Sequence, residues 1–302
     1  MENRCFLCPR RCGAERDADK LGFCAMDGRI RVARAALHPC EEPPVSGERG
    51  SGTVFFTGCS LRCVFCQNSA IRAPESGKIL SAEQLADLFL FLQKKGAENI
   101  NLVTATHYAD GVVRALEIAK PRLHIPVVYN CGGYERVETL RMLHGLVDVY
   151  LPDFKYVSSE LSAAYSAAPD YAEVATAALA EMYAQVGKVQ LDARGMMQRG
   201  VIVRHLVLPG CRADSLAVLE KIAATVPVGD IRLSLMRQYT PDFAPESAPK
   251  NLKRRVTSFE YERVMARAVE LGFEGFFQGK EAASAAYTPD FAERDLLREF
   301  LE

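Results

Sequence analysis

The chain has 302 residues, 49% of them hydrophobic, with 37 Lys plus Arg against 38 Asp plus Glu. That size supports one large domain or two modest ones, and the near-zero net charge gives no ground for a nucleic-acid or membrane surface. There is no run of about 18 apolar residues and no apolar leader at Met1-Glu2-Asn3-Arg4, so a cytoplasmic protein with no membrane span is expected.

Residues 1–50 are rich in Cys, Arg, Gly and Pro and show little periodicity. They are expected to form a small Cys-rich lobe followed by an extended linker at Glu41-Glu42-Pro43-Pro44-Val45-Ser46-Gly47, because proline fixes φ and restrains its predecessor. From residue 51 the rhythm changes. Short apolar strands are predicted at Thr53–Phe56, Ile100–Thr106, Pro126–Asn130, Val147–Asp153, Val201–Leu208 and Ile231–Gln238, with one more at Phe273–Gln278. Helices are predicted at Ala82–Lys95, Ala109–Ala119, Val137–His144, Tyr171–Val186, Ser215–Thr225 and Ser258–Leu271. Near-continuous apolar strands alternating with helices, six or seven units in all, predict an α/β TIM-like barrel, full or partial, over 51–280, with its site at the strand C-terminal ends. Residues 281–302 are expected to be a C-terminal helical extension.

Ten cysteines are the most informative feature. Four stand at 5, 8, 12 and 24 and three at 59, 63 and 66, while Cys40, Cys131 and Cys211 stand apart. Close spacing without an export signal favours metal ligation over cross-linking. Cys59, Cys63 and Cys66 follow the first barrel strand at C-x3-C-x2-C spacing, with Phe65 just before the last. Thiolates ligate iron–sulfur clusters, and three of them hold three corners of a four-iron cubane, leaving one iron open to chemistry. A structural zinc knot needs four ligands, and this loop has no nearby fourth Cys or His.

The segment Cys59-Ser60-Leu61-Arg62-Cys63-Val64-Phe65-Cys66 resembles the signature of the radical S-adenosylmethionine (SAM) superfamily, C-x3-C-x-aromatic-C. Cys66-Gln67-Asn68 after the cluster and Glu41-Glu42-Pro43 through Ser46-Gly47 before it are similar to a little-characterised subgroup of the pyruvate formate-lyase activating-enzyme branch. The resemblance implies a partial (β/α)6 TIM-like barrel and a [4Fe–4S] cluster on Cys59, Cys63 and Cys66 whose open iron chelates SAM. It implies Phe65 near the adenine, and reductive cleavage to a 5′-deoxyadenosyl radical. The family often carries Gly-Gly-Glu after its second strand, which this chain lacks. Thr104, Thr106 and His107 are the positional candidates there, and Asn130, Gly132 and Gly133 follow at the third strand. Asp153 and Lys155 at strand four could bind a ribose or the amino-acid end of the cofactor, Arg204 on strand five its carboxylate, and Gln238 at strand six lines the expected mouth. His205 and Arg204 alternate on one strand, so one of them faces the helices. His38, His124 and His144 are expected to be structural or solvated.

Cys5, Cys8, Cys12 and Cys24 can close a second metal site, a structural zinc or an auxiliary [4Fe–4S] cluster, with Cys40 as an alternate ligand and a disulfide as a third option. The resemblance also implies an electron donor such as flavodoxin or ferredoxin, and a glycyl-radical protein as substrate. Radical modification of a small molecule or peptide stays open, as does a non-catalytic metal-binding module.

Overall fold

The computed structural model describes residues 4–16, 20–283, 291 and 295–302. The described residues form ten strands, most of them apolar: β1 Ile30–His38, β2 Ser51–Phe56, β3 Lys78–Leu80, β4 Ile100–Val103, β5 Val127–Cys131, β6 Val149–Pro152, β7 Gln190–Leu191, β8 Met197–Leu206, β9 Arg232–Met236 and β10 Gly275–Phe277. Nine lie in one sheet path, β10-β9-β8-β6-β5-β4-β2-β1-β3, and β7 pairs with β8. The strands from β2 to β10 along this path pair parallel, whereas β1 runs antiparallel to β2 and β3. The two ends of the path do not pair, so the sheet is an open, mostly parallel partial barrel, the α/β class expected. The short strand predicted at Phe273–Gln278 is β10, parallel to β9.

The helices are α1 Pro43–Ser46, α2 Ala82–Lys94, α3 Ala109–Ala119, α4 Val137–Met142, α5 Ser159–Ser166, α6 Tyr171–Val186, α7 Arg212–Thr225, α8 Ser258–Glu270 and α9 Leu296–Leu301. α2 and α8 open with reciprocal capping boxes, Ser81 with Gln84 and Thr257 with Glu260, which satisfy first-turn amides that would otherwise lack partners. Alternation along each strand separates two apolar layers. Tyr129, Tyr150, Val201 and Val203 pack in the main core with the helices. Val128, Val149, Leu151 and Ile202 form a separate cluster, sealed by Val45 of α1 and by Met197. Polar strand ends therefore sit beyond an apolar plug.

Besides the short strands β3 and β7, which were not predicted, three elements depart from expectation. β1 lies in a stretch that showed little periodicity, because a register irregularity between Val32 and Arg34 breaks its alternation. The supposed linker turns into α1, where proline occupies the first helical turn and Val45 and Ser46 are buried; proline is pre-set for that position. α5 starts where the Ser158 side chain accepts from the Leu161 amide. Of the C-terminal extension, residues 284–290 and 292–294 lie outside the described residues. Its α9 is tied to the sheet by the Ala35 amide, which donates to Asp295 at 3.0 Å.

Candidate metal and cofactor site

β2 ends at Phe56, and Thr57 and Gly58 lead into the loop that carries Cys59, Cys63 and Cys66. Gly58 adopts φ +90°, and a Cβ there would meet Cγ of Met26 at 2.4 Å and Nε2 of His107 at 3.0 Å. Only glycine accepts both the conformation and the crowding. His107 donates from Nε2 to the Thr57 carbonyl at 2.7 Å. Burial pushes its pKa down to about 3, so the ring is neutral.

The loop is gripped from two sides. On one side the Cys59 amide donates to the Cys24 carbonyl at 3.4 Å. There too, Arg10 donates to the Ser60 carbonyl at 2.8 Å and Arg62 to that of Phe23 at 2.9 Å. On the other side the Val64 amide donates to the Tyr165 carbonyl at 2.9 Å, and Cys63 Sγ lies 3.0 Å from Ser166 Oγ at the end of α5. Burial and the neighbouring thiols push the Cys66 thiol up to about 11 and that of Cys59 higher still. Metal binding at this loop must therefore displace protons.

All three cysteines line a cavity of about 480 Å³ at the C-terminal mouth of the strands, within the usual range for a small-molecule site. Phe65, Thr104, Asn130, Gly132, Asp153, Lys155, Arg204 and Gln238 line it as well. The Phe65 ring meets those of Tyr165 and Tyr239 edge-on, with centroids 6.4 and 6.0 Å away. Thr104 is held at φ +59°, an uncommon conformation for a residue with a Cβ. Lys155 pairs with Asp153. Burial opposes its charge, but Asp153 and the thiols of Cys63 and Cys66 outweigh that and raise its pKa. Gln238 accepts from Gln278 at 3.0 Å.

Thr106, His107 and Gly133 lie outside this cavity, which corrects their expected placement. After Thr104 the chain turns into a short 3-10 segment, which buries Thr106 and His107. Thr106 donates to Glu135 at 2.8 Å. Gly133, at φ +75°, approaches another strand rather than a ligand: a Cβ there would stand 2.0 Å from the Asp153 carbonyl oxygen.

Arg204 reaches the cavity, but its charge is already matched. Its Nε donates to Glu42 Oε1 at 2.8 Å and its Nη2 to Glu42 Oε2 at 2.6 Å and to Glu41. Burial works against both charges, yet their attraction wins: Glu42 is held below its ordinary value and Arg204 well above. Glu41 also accepts from Asn101 at 2.8 Å. Residues 38–43 thus form a strap across the mouth, and Glu41 and Glu42 belong to the site, although they were read as linker and as part of a family-like motif with no role in the site. His205 faces the other way and donates from Nδ1 to the Phe154 carbonyl at 2.7 Å.

Among the described residues, no three His, Cys, Asp or Glu side chains stand close enough to share a single ion. A four-iron cubane needs thiolates around a larger body, and the three cysteines of one loop facing one cavity fit it in number and chemistry. Cys131 also lines the cavity, but burial raises its thiol well above the ordinary value, and Glu135 beside it raises it further. All ten cysteines are free of disulfides. No described helix is long and apolar enough to cross a membrane.

Residues 53–187 match the Radical SAM superfamily. The chain is 27% identical over 275 residues to the uncharacterized protein MJ0674 of Methanocaldococcus jannaschii, an alignment covering 87% of this chain and 74% of the relative. Among solved structures, methylornithine synthase (PylB) aligns with a TM-score of 0.47 at 15% identity over 80% of this chain and 78% of its own. Streptococcus suis SuiB bound to precursor peptide SuiA aligns with a TM-score of 0.46 at 10% identity over 73% of this chain. This chain spans 46% of the length of SuiB.

Proposed function

We propose, on the premise that residues 53–187 carry a Radical SAM superfamily domain, that this chain is a radical SAM enzyme. The observation that carries the reading is three cysteines on one loop, at the C-terminal end of β2, opening into a cavity ringed by polar strand ends. Cys59, Cys63 and Cys66 would hold a [4Fe–4S] cluster. Such a cluster, once reduced, supplies the electron that splits bound SAM into methionine and a 5′-deoxyadenosyl radical, which then abstracts hydrogen from substrate.

The chain's own residues bind and orient. Phe65, fixed by Tyr165 and Tyr239, offers an aromatic edge for the adenine. The Lys155 ammonium, raised in pKa beside Asp153 and the thiols, keeps a positive charge near a centre that carries net negative charge. Lys155 with Asp153 is also the pair placed to meet the zwitterionic end of SAM. The strap bearing Glu41 and Glu42, clamped by Arg204, limits access of water at the mouth.

Within this class we favour an activating enzyme for a glycyl-radical protein, on the strength of Glu41-Glu42-Pro43 and Cys66-Gln67-Asn68. A one-electron donor of the flavodoxin or ferredoxin type would serve it. The test is anaerobic reconstitution with iron and sulfide, reduction with dithionite, and measurement of 5′-deoxyadenosine from SAM. Product is expected from the native chain and not from Cys59→Ala, Cys63→Ala or Cys66→Ala. Equal product from the alanine variants would overturn the reading. An organic-radical signal on a large partner protein after mixing supports the activating role, and turnover on a small molecule or peptide alone replaces it.

A further inference from the structure

The N-terminal lobe is built around a buried positive charge that pairs with no carboxylate among the described residues. Arg16 is 6% exposed. Its guanidinium donates to the carbonyls of Asp27 and His107 and, at 3.4 Å, to Cys5 Sγ. It forms no ion pair among the described residues, since the Asp27 carboxylate is taken by Arg29 and Arg31. A guanidinium is always charged, and a buried charge is stable only opposite a compensating one. Among the described residues, the groups beside it that can supply negative charge are sulfurs. Cys5 is one, and Cys24 acts on Arg16 as a second.

The other two cysteines of this set share the fold of the lobe. The Cys5 amide donates to the Ala14 carbonyl and the Gly13 amide to that of Cys5, so Cys5, Cys8 and Cys12 ride on one short hairpin. Gly22 sits against two sulfurs, and a Cβ there would lie 3.4 Å from Cys24 Sγ and 3.5 Å from Cys12 Sγ. Cys8 and Cys24 are buried. A lobe this small, with few apolar residues of its own, needs a staple.

We propose that Cys5, Cys8, Cys12 and Cys24 hold a second metal centre, a tetrathiolate site whose net negative charge is matched by Arg16. A [4Fe–4S] cubane on four thiolates carries that charge, and its body spans sulfurs that do not converge on a single ion. Arg16 is a positioning residue here: it donates to a ligand sulfur and neutralises the centre, as outer partners of metal ligands commonly do. The centre would sit one hydrogen bond from the radical site, through the Cys24 carbonyl and the Cys59 amide.

The test is metal and sulfide analysis of the full chain after anaerobic purification, alongside two variants. Cys59→Ala/Cys63→Ala/Cys66→Ala removes the proposed radical cluster, so any metal it retains belongs to the lobe. Four irons with four sulfides are expected in that variant, and a single zinc in their place overturns the cubane. Adding Cys5→Ser/Cys12→Ser must abolish that iron and sulfide. Arg16→Gln is expected to speed loss of the lobe's metal to a chelator at least tenfold, with Arg16→Lys restoring part of the retention and the iron of the radical site unchanged. No metal in the triple-cysteine variant, or metal that survives Cys5→Ser/Cys12→Ser, overturns the proposal. Either result leaves the deoxyadenosine assay free to stand or fall separately.

Discussion

Without the guanidinium of Arg204, Glu41 and Glu42 would face each other inside the mouth with no cation between them. Breaking a buried pair in this way costs about 3–5 kcal/mol, so Arg204→Met should lower the urea midpoint markedly. Arg204→Lys should recover only part, because an ammonium cannot reproduce the forked contact with Glu42. A loss below about 1 kcal/mol for Arg204→Met would show that the strap is not held this way. His107 acts on the other flank. His107→Ala leaves the Thr57 carbonyl unpaired next to Gly58, at a cost of about 1–3 kcal/mol, and is expected to release iron from the cysteine loop faster under chelator. Iron retention like that of the native chain would refute this. The need for a partner at Arg204 was legible, since a charge within an apolar strand must be matched. The partner's identity was not, because Glu41 and Glu42 lie more than 160 positions away along the chain. His107 and Thr106 were misplaced because the backbone after β4 reverses through the left-handed Thr104, and strand periodicity carries no information about such a turn.

Each parallel strand hands its last residues to the mouth, and the close fit between neighbouring strand ends sets their positions. Gly133, just past β5, packs against the Asp153 backbone just past β6, with the Tyr171 hydroxyl shared between the carbonyls of Gly132 and Asp153 at 2.8 and 2.9 Å. Gly133→Ala must displace the Asp153 backbone and adopt a strained φ, so a loss above about 2 kcal/mol is expected. Lys155, which follows Asp153, should move with it. A thermal melt and SAM binding by calorimetry would read the two effects together, and an unchanged melt would refute the crowding. Most strands and long helices were legible from apolar runs and their spacing, and Ala109–Ala119 and Tyr171–Val186 match residue for residue. The elements that escaped were short or irregular. The alternation of β1 is broken by its bulge, α1 is a single turn in a proline-rich segment, and α5 announces itself only through its Ser158 cap.

Buried ionisable groups give the whole molecule a pH signature. Burial pushes Glu135 up to about 8 from an ordinary value of 4.5, and Thr106 and Tyr129 bond it in the core. Between those values the folded state holds a proton that the unfolded chain has released. Its contribution therefore falls as pH rises, by at most about 1.4 kcal/mol per unit. The buried His107 and His205, held at about 3 and about 4 against an ordinary 6.5, act in the opposite sense and lose stability as pH falls below 6.5. Glu135→Gln should abolish the alkaline slope and leave the acid one. Parallel stability curves for the two proteins from pH 5 to 8 would count against the neutral carboxyl.

The two-sided grip on the cysteine loop has a mechanical consequence. Arg10, Phe23 and Cys24 hold it on one side and Tyr165 and Ser166 on the other, so a filled loop acts as a rivet joining distant stretches of chain. A protease added to the metal-free protein should find its first cuts around residues 57–72, well before α2 or α3, and loading with iron should close that window.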